Sequence, residues 1–321
     1  KNWNYFINSK KIGKFPHALL FHGSEGVGKE AHSIELAALL NCLKIEENRP
    51  CGKCPSCFKI KSFQHEFVKI VLPLPRGNIK SSNDPIIKSF KNDKAINDYL
   101  AILKEKGNDP YYRLHIPGSN TILINSIRDI KSELIMSTTN NSWKIILIFQ
   151  AEKLCYPNPT SAHSLLKILE EPPNNSLFIL VSSQPNMILD TIHSRCYNIF
   201  FPKISNLILE KRLLNQGLDK IQANIIAHIS DGNINLSIEL SKNYDNIMKK
   251  LVILLKASFS NNPDDWQNCI NTFIQLNISD KTKIDKIFNC IKLFFRDVYY
   301  YSIAHSEENI IFKHQIKRIK K

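Results

Sequence analysis

The octapeptide Gly23-Ser24-Glu25-Gly26-Val27-Gly28-Lys29-Glu30 limits this chain more than any other stretch. It fits G-x-x-x-x-G-K and then places Glu30 where a phosphate loop carries Ser or Thr. The apolar run Ala18-Leu19-Leu20-Phe21 precedes it and a helical pattern from Ala31 to Leu40 follows, giving the strand, glycine-rich turn and helix that such a loop requires. Backbone amides of this turn and the Lys29 ammonium can cradle phosphates, whereas the missing hydroxyl removes the usual protein ligand for Mg²⁺. Gly23, Gly26, Gly28 and Lys29 are therefore the candidate nucleotide-binding residues.

Hydrolysis at such a loop also needs carboxylates at the end of a second buried strand, one to hold the metal and one to polarise the attacking water. The best strand, Trp143 to Phe149, runs instead into Gln150-Ala151-Glu152. Neither Phe149 nor Gln150 can do either job, and Glu152 fits the start of a solvated helical turn better than a substitute acid. Glu30, Phe149 and Gln150 point the same way, to a nucleotide-hydrolysis fold kept as a scaffold. Whether ATP or ADP occupies the loop stays open, because Lys29 and the glycines could hold it without metal.

Four of the eight cysteines cluster: Cys42, at the end of the helix after the loop, then Cys51, Cys54 and Cys57 in two consecutive C-x-x-C spacings. Such turns let thiolates converge on a tetrahedral ion, and four cysteines make a closed, structural zinc site. A redox pair would not use four, and a reducing compartment disfavours disulfides. His65 is a weaker candidate ligand. Cys155, Cys196, Cys269 and Cys290 are isolated and read as small apolar core residues.

With 321 residues, 43% hydrophobic and 22% charged, the chain has the composition of a globular protein of two or three domains. No segment approaches a membrane-spanning apolar run and no signal-like stretch opens the sequence, so a cytoplasmic location and no membrane partner are expected. The chain opens at Lys1 rather than Met, so further residues are expected before it. A net charge of +14 suits a polyanionic partner or an acidic protein surface, although a coding bias towards Lys, Asn and Ile explains part of it.

Apolar runs alternating with helical stretches predict a parallel sheet with helices on both faces. Strands are expected at 18–22, 67–72, 143–149, 177–182 and 197–201, and helices at 28–41, 124–136 and 160–171. Residues 73–120, dense in Pro, Gly, Ser and Asn, read as a mobile insertion with one short helix. From Ile204 only helical periodicity remains, over Leu207–Leu218, Gln222–Ser230, Ile234–Lys242, Tyr244–Ser258 and Lys281–His305. The basic tail His314–Lys321 reads as a solvated helix end. Aromatics at Phe294, Phe295, Tyr299, Tyr300 and Tyr301 suit core packing or an oligomer collar.

Two further segments carry a resemblance. Leu165-Leu166-Lys167-Ile168-Leu169-Glu170-Glu171-Pro172-Pro173 is followed, beyond a strand, by Ser194-Arg195-Cys196. The order of phosphate loop, cysteine cluster, LLKILEEPP and SRC, spread over about residues 16–202, resembles bacterial DNA polymerase III clamp-loader subunits, which are AAA+ proteins. The resemblance implies an α/β AAA+ parallel-sheet phosphate-loop domain with a structural zinc module at 42–57, over 1–203. A helical lid over 204–245 and an all-helical collar over 246–321 would follow. Degraded catalytic positions resemble the delta-prime type, whereas the gamma/tau ATPase type keeps Gly-Lys-Thr and Asp-Glu. Gly232-Asn233-Ile234-Asn235 looks like the sensor-2 segment with Asn235 in place of its arginine, and Ser183 stands at the sensor-1 position.

The resemblance also implies that Arg195 acts catalytically in trans, completing the site of a neighbouring ATPase, while Ser194 and Cys196 hold the loop. A planar, permanently charged guanidinium suits that task; the plain alternative is a surface salt bridge. Implied partners are the gamma/tau ATPase and delta subunits in a hetero-oligomer, with the sliding clamp and primed DNA reached through the complex. The implied role is a stator without intrinsic ATPase activity within the DNA polymerase III holoenzyme. Two other readings remain at this point: a hydrolysing gamma/tau-type motor, and a zinc-bearing DNA-binding module, which would show strongly salt-sensitive DNA affinity.

Overall fold

A helix that the sequence reading did not anticipate begins the chain in the computed structural model, which describes residues 2–135, 142–260, 262–274, 281–307 and 310–313. This α1 (Asn2–Ile12) buries Phe6 and Ile7, and Phe6 stacks on Phe21 with ring centroids 5.5 Å apart. Its polar composition hid it, since two or three apolar contacts suffice once a sheet is there to receive them. The chain continues through β1 (Ala18–His22), α2 (Lys29–Asn41), a hairpin of β2 (Ile45–Glu46) and β3 (Arg49–Pro50), α3 (Pro55–Lys61), β4 (Val68–Val71) and α4 (Asp93–Asn108). After α5 (Ile124–Ile135) come β5 (Lys144–Phe149), α6 (Thr160–Glu170), β6 (Ser176–Ser182), α7 (Asp190–His193) and β7 (Tyr197–Phe200).

Five strands form one parallel sheet in the order β4-β5-β6-β1-β7, with Leu20 opposite Leu180, Leu19 opposite Tyr197 and Ile146 opposite Phe178. Alternate residues of each strand point to opposite faces. Leu19, Phe21, Ile145, Leu147, Leu177 and Ile179 therefore pack with Leu36 and Leu39 of α2 on one side. Leu20, Ile146, Ile148, Phe178 and Leu180 pack with Ile127 of α5 and Leu165 of α6 on the other. This is the parallel sheet with helices on both faces that the alternation of apolar runs and helical stretches predicts. Because all five strands run the same way, the turns after β1, β5 and β6 meet along one edge, where ligands bind in such sheets.

Gly23 lets the phosphate loop approach β7. Its φ is +140°, and a Cβ there would lie 2.3 Å from the Phe201 carbonyl oxygen. Gly23→Ala should therefore cost about 1–3 kcal/mol, read as a lower urea midpoint for the intact chain. An unchanged midpoint would mean that this edge of the sheet yields freely.

The expectation of a mobile insertion at 73–120 gives way to a packed segment. Phe90, Leu114 and Ile116 lie in the same core as the strands, and α4 has 16 residues with the Asn92 side chain capping the Ala95 amide at 3.0 Å. Pro and Gly density suggested looseness, but Ile96, Tyr99, Ile102 and Leu103 recur at helical spacing and rest on the core.

The chain divides into two compact units, Lys1–Pro202 and Lys203–Lys321. The second contains α8 (Asn206–Asn215), α9 (Lys220–Ser230), α10 (Ile234–Phe259), α11 (Pro263–Ile274) and α12 (Lys281–Ala304). The helices expected on either side of Asn243 are one continuous α10, in which that side chain bonds the Glu239 carbonyl at 3.1 Å and Leu240, Leu251 and Leu255 pack in one core. The 245/246 position between lid and collar thus falls inside α10, and Leu213, Ile225, Leu240, Leu255 and Phe294 share one core. None of the described helices is long and apolar enough to cross a membrane. The tail His314–Lys321 lies outside the described residues.

Candidate functional site

The phosphate loop has the expected backbone and an inward-turned lysine. Gly28 takes φ +91° and leads into α2, so the loop amides stand at a helix N-terminus. Lys29 is 5% exposed, and its ammonium donates to the carbonyls of Gly23 at 2.8 Å and Ser24 at 2.6 Å and to Ser183 Oγ at 3.3 Å. Burial lowers its pKa, against the attraction of Glu30, Glu152 and Glu25. Ser183, at the end of β6, thus meets the loop lysine directly.

The three positions without catalytic groups are occupied by other bonds. Glu30 pairs with the ammonium of Lys106 from α4, a side chain 2% exposed that also donates to the Tyr112 carbonyl at 2.8 Å. Phe149 lies beneath that cation, its centroid 6.0 Å from Lys106 Nζ. Gln150 has a left-handed backbone and donates its amide to the Leu114 carbonyl at 3.2 Å. The fold would place Mg²⁺ here, and these residues do not fit it: the one carboxylate is held by a lysine, and the next two positions offer a phenyl ring and an amide turned to a carbonyl. Glu152 does lie in the first turn of a short 3-10 helix, Ala151–Leu154, but that turn is half-buried and the carboxylate accepts from Ser182 Oγ at 2.6 Å. Lys106 escaped the sequence reading because Lys104-Glu105-Lys106 looks like any solvated helix face.

The four clustered cysteines converge. The hairpin β2–β3 turns through left-handed Glu47 and Asn48, returning the chain so that Cys51 Sγ lies 3.6 Å from Cys42 Sγ. Cys54 caps α3, Cys57 sits in its first turn, and all four sulfurs lie within 4.8 Å of one another. Amides of Cys51, Cys54 and Cys57 donate to the sulfurs of Cys42, Cys51 and Cys54 at 3.3, 3.3 and 3.4 Å. Burial opposes ionisation of Cys54, but the Cys57 and Leu43 amides and neighbouring thiols outweigh it and pull that thiol down to about 6. A donor set of four sulfurs with one thiol already acidic fits a tetrahedral zinc ion. His65 stands apart from it: Nδ1 accepts from the Phe67 amide at 3.2 Å, which leaves Nε2–H to donate to Ser56 Oγ at 3.0 Å. Among the other cysteines, Cys196, Cys269 and Cys290 are buried and Cys155 is half-buried.

Arg195 follows α7 on the surface of the first unit. Its guanidinium donates to Glu170 Oε1 at 2.9 Å and to the Thr191 carbonyl at 3.0 Å, joining the SRC segment to the LLKILEEPP helix. That helix, α6, ends at Glu170 because the residue before Pro172 is disfavoured in the α region. Ser194 Oγ donates to the same Thr191 carbonyl at 3.2 Å, and Cys196 is buried, which pushes its thiol up to about 12.

A family model for "DNA polymerase III, delta subunit" matches residues 1–205, more than half of the chain. The chain belongs to that family. Among curated relatives of this delta-subunit family member, the Bacillus subtilis (strain 168) DNA polymerase III subunit delta' is 27% identical over 236 residues, 74% of this chain and 57% of that protein. Subunit tau of the same organism is 25% identical over 94% of this chain and 48% of its own length. Escherichia coli (strain K12) subunit delta' is 24% identical over 59% of this chain and 43% of its own. The matches thus span about half the length of these relatives. A gamma-subunit-related protein from Thermotoga maritima superposes on the whole chain with a TM-score of 0.44 at 14% identity, covering 90% of that protein. The family model and these relatives group the chain with DNA polymerase III subunits of the delta, delta-prime and gamma/tau kinds. In its second unit, Asn233 caps α10 by accepting from the Leu236 amide at 3.0 Å, and Asn235 Oδ1 is buried without a hydrogen-bond partner among the described residues.

Proposed function

We propose that this chain is the non-hydrolysing, delta-prime-type subunit of a DNA polymerase III clamp loader. It acts as a stator in a hetero-oligomer with gamma/tau-type ATPase and delta subunits, and the assembly places a sliding clamp on primed DNA. The observation that carries the reading is the state of the catalytic positions: Glu30 paired with Lys106, Phe149 beneath the same cation, and Gln150 tied to Leu114. Arg195 then serves a neighbour's site. Its bond to Glu170 supports this, because the two side chains are 36% and 46% exposed and an exposed pair is worth only ~0–1 kcal/mol, so a neighbour's phosphate can replace the carboxylate cheaply. On α12, Phe288, Phe295, Tyr299 and Ile303 are exposed and lie at helical spacing on one face, which supports contact between subunits there. Zinc held by Cys42, Cys51, Cys54 and Cys57 fixes the small module after α2.

A gamma/tau-type motor is the second reading, favoured by the tau match over 94% of the chain. Purified chain with Mg²⁺-ATP discriminates. The proposal expects no phosphate release above a control lacking protein, and sustained turnover that titrates with the protein would reject it.

A further inference from the structure

The last turn of α4 and the segment after it lie along the phosphate loop and meet it at three points. Lys106 pairs with Glu30 at the start of α2. The Tyr111 ring packs on the loop itself, so close that a Cβ at Gly28 would lie 3.3 Å from Tyr111 Cε1. Arg113 pairs with Glu25 at 2.8 Å on the outer side. The segment is rooted as well, for a Cβ at Gly107 would lie 2.5 Å from the Lys61 carbonyl oxygen, which fixes the end of α4 on α3.

We propose that residues 106–113 are a built-in seal on the phosphate loop, with the Lys106 ammonium taking the place of a divalent cation beside Glu30, and that the loop takes no nucleotide while the seal is in place. The inference deepens the non-hydrolysing reading, yet it rests on geometry within the first unit alone.

Charge explains why both halves of the device are needed. A phosphate chain entering the loop requires a free ammonium, but Lys29 is committed to three acceptors, two of them carbonyls of the loop itself. Glu25 and Glu30 would repel phosphates at the rim and the base of the site. Arg113 and Lys106 are held against the loop by those carboxylates, and the Tyr111 ring lies against the Gly28 backbone between them. A divalent cation would bind phosphate as well as protein, whereas the Lys106 ammonium spends its donors on Glu30 and the Tyr112 carbonyl. Removing Lys106 alone would leave Glu30 as a bare negative charge, so the informative change removes both partners.

The test is binding of a fluorescent ADP analogue to the full chain, with and without Mg²⁺, for the wild type, Glu30→Thr/Lys106→Ala and Glu25→Gln/Tyr111→Ala/Arg113→Ala. The wild type should show no saturable binding below about 1 mM, and each variant should bind at least tenfold more tightly. Melting temperature and zinc content establish that the variants are folded. Should the buried pair prove necessary for folding, the second variant, which trims the rim of the seal, decides alone. Folded variants that remain blind to nucleotide overturn the inference, and so does a wild type that binds as well as they do. Wild-type binding without turnover would remove this inference and leave the proposed function standing, whereas turnover would remove both.

Discussion

Replacing Arg195 with alanine is expected to abolish ATP hydrolysis at the one site of the assembled complex that this chain abuts. An arginine acting in trans on a transferring phosphoryl group is worth about 10³-fold or more, equivalent to roughly 4 kcal/mol of transition-state stabilisation. The cost to this chain's own fold should be small, because what is lost is an exposed pair with Glu170 and one bond to the Thr191 carbonyl. Assembly, followed by size-exclusion chromatography, should be unchanged. Turnover is best read in complexes whose other ATPase sites carry a substitution of their own loop lysine, so that the remaining activity belongs to one site. Arg195→Lys should recover little, since a point charge lacks the planar fork that matches phosphate oxygens. Full turnover by the alanine variant in a correctly assembled complex would leave Arg195 as nothing more than a surface ion pair.

The second large effect is expected from the metal module. Cys57→Ala removes one of four thiolates from a site whose closure organises the hairpin β2–β3 and the start of α3. Structural zinc in small modules contributes an apparent 10–16 kcal/mol at neutral pH, far beyond what the short apolar contacts of such a module supply. Zinc measured after dialysis against a chelator should fall from about one ion per chain to below about a tenth. Residues 42–61 should lose protection from hydrogen exchange while the sheet keeps its own. Metal binding displaces protons from the thiols, so affinity should weaken as the pH drops. Burial holds the Cys57 thiol up, so it gives up its proton only to the metal, whereas Cys54, whose amide bonds outweigh its burial and hold it down to about 6, adds to the loss only as the pH falls through that value. Undiminished zinc content in the variant would show that three sulfurs suffice or that the ion sits elsewhere.

Much of the first unit was legible residue by residue. Strands at 18–22, 143–149 and 177–182 appear within a residue or two of expectation, because a run such as Lys144–Phe149 is apolar on both faces and only a buried parallel strand uses that pattern. The convergence of the four cysteines was readable for a similar reason: turns and caps at fixed short spacing bring the sulfurs together. The insertion was misjudged where breakers outweighed periodicity, and the 16-residue α4 inside it shows that Pro and Gly at the ends of a segment say little about its middle. In the second unit, the apolar period shifts near Asn243, yet α10 continues through it with Leu240, Leu251 and Leu255 in one core.

What the sequence alone determined is the set of local patterns: the phosphate loop, its missing metal ligands, the sulfur cluster, the strand periods and the two motifs that assign the family. Only the tertiary structure decided what the altered positions do instead. Lys106 and Glu30 are 76 residues apart, and Arg195 and Glu170 are 25 apart. Charges that meet across such distances leave no periodic trace in the sequence, since their pairing is set by how the helices pack on the sheet.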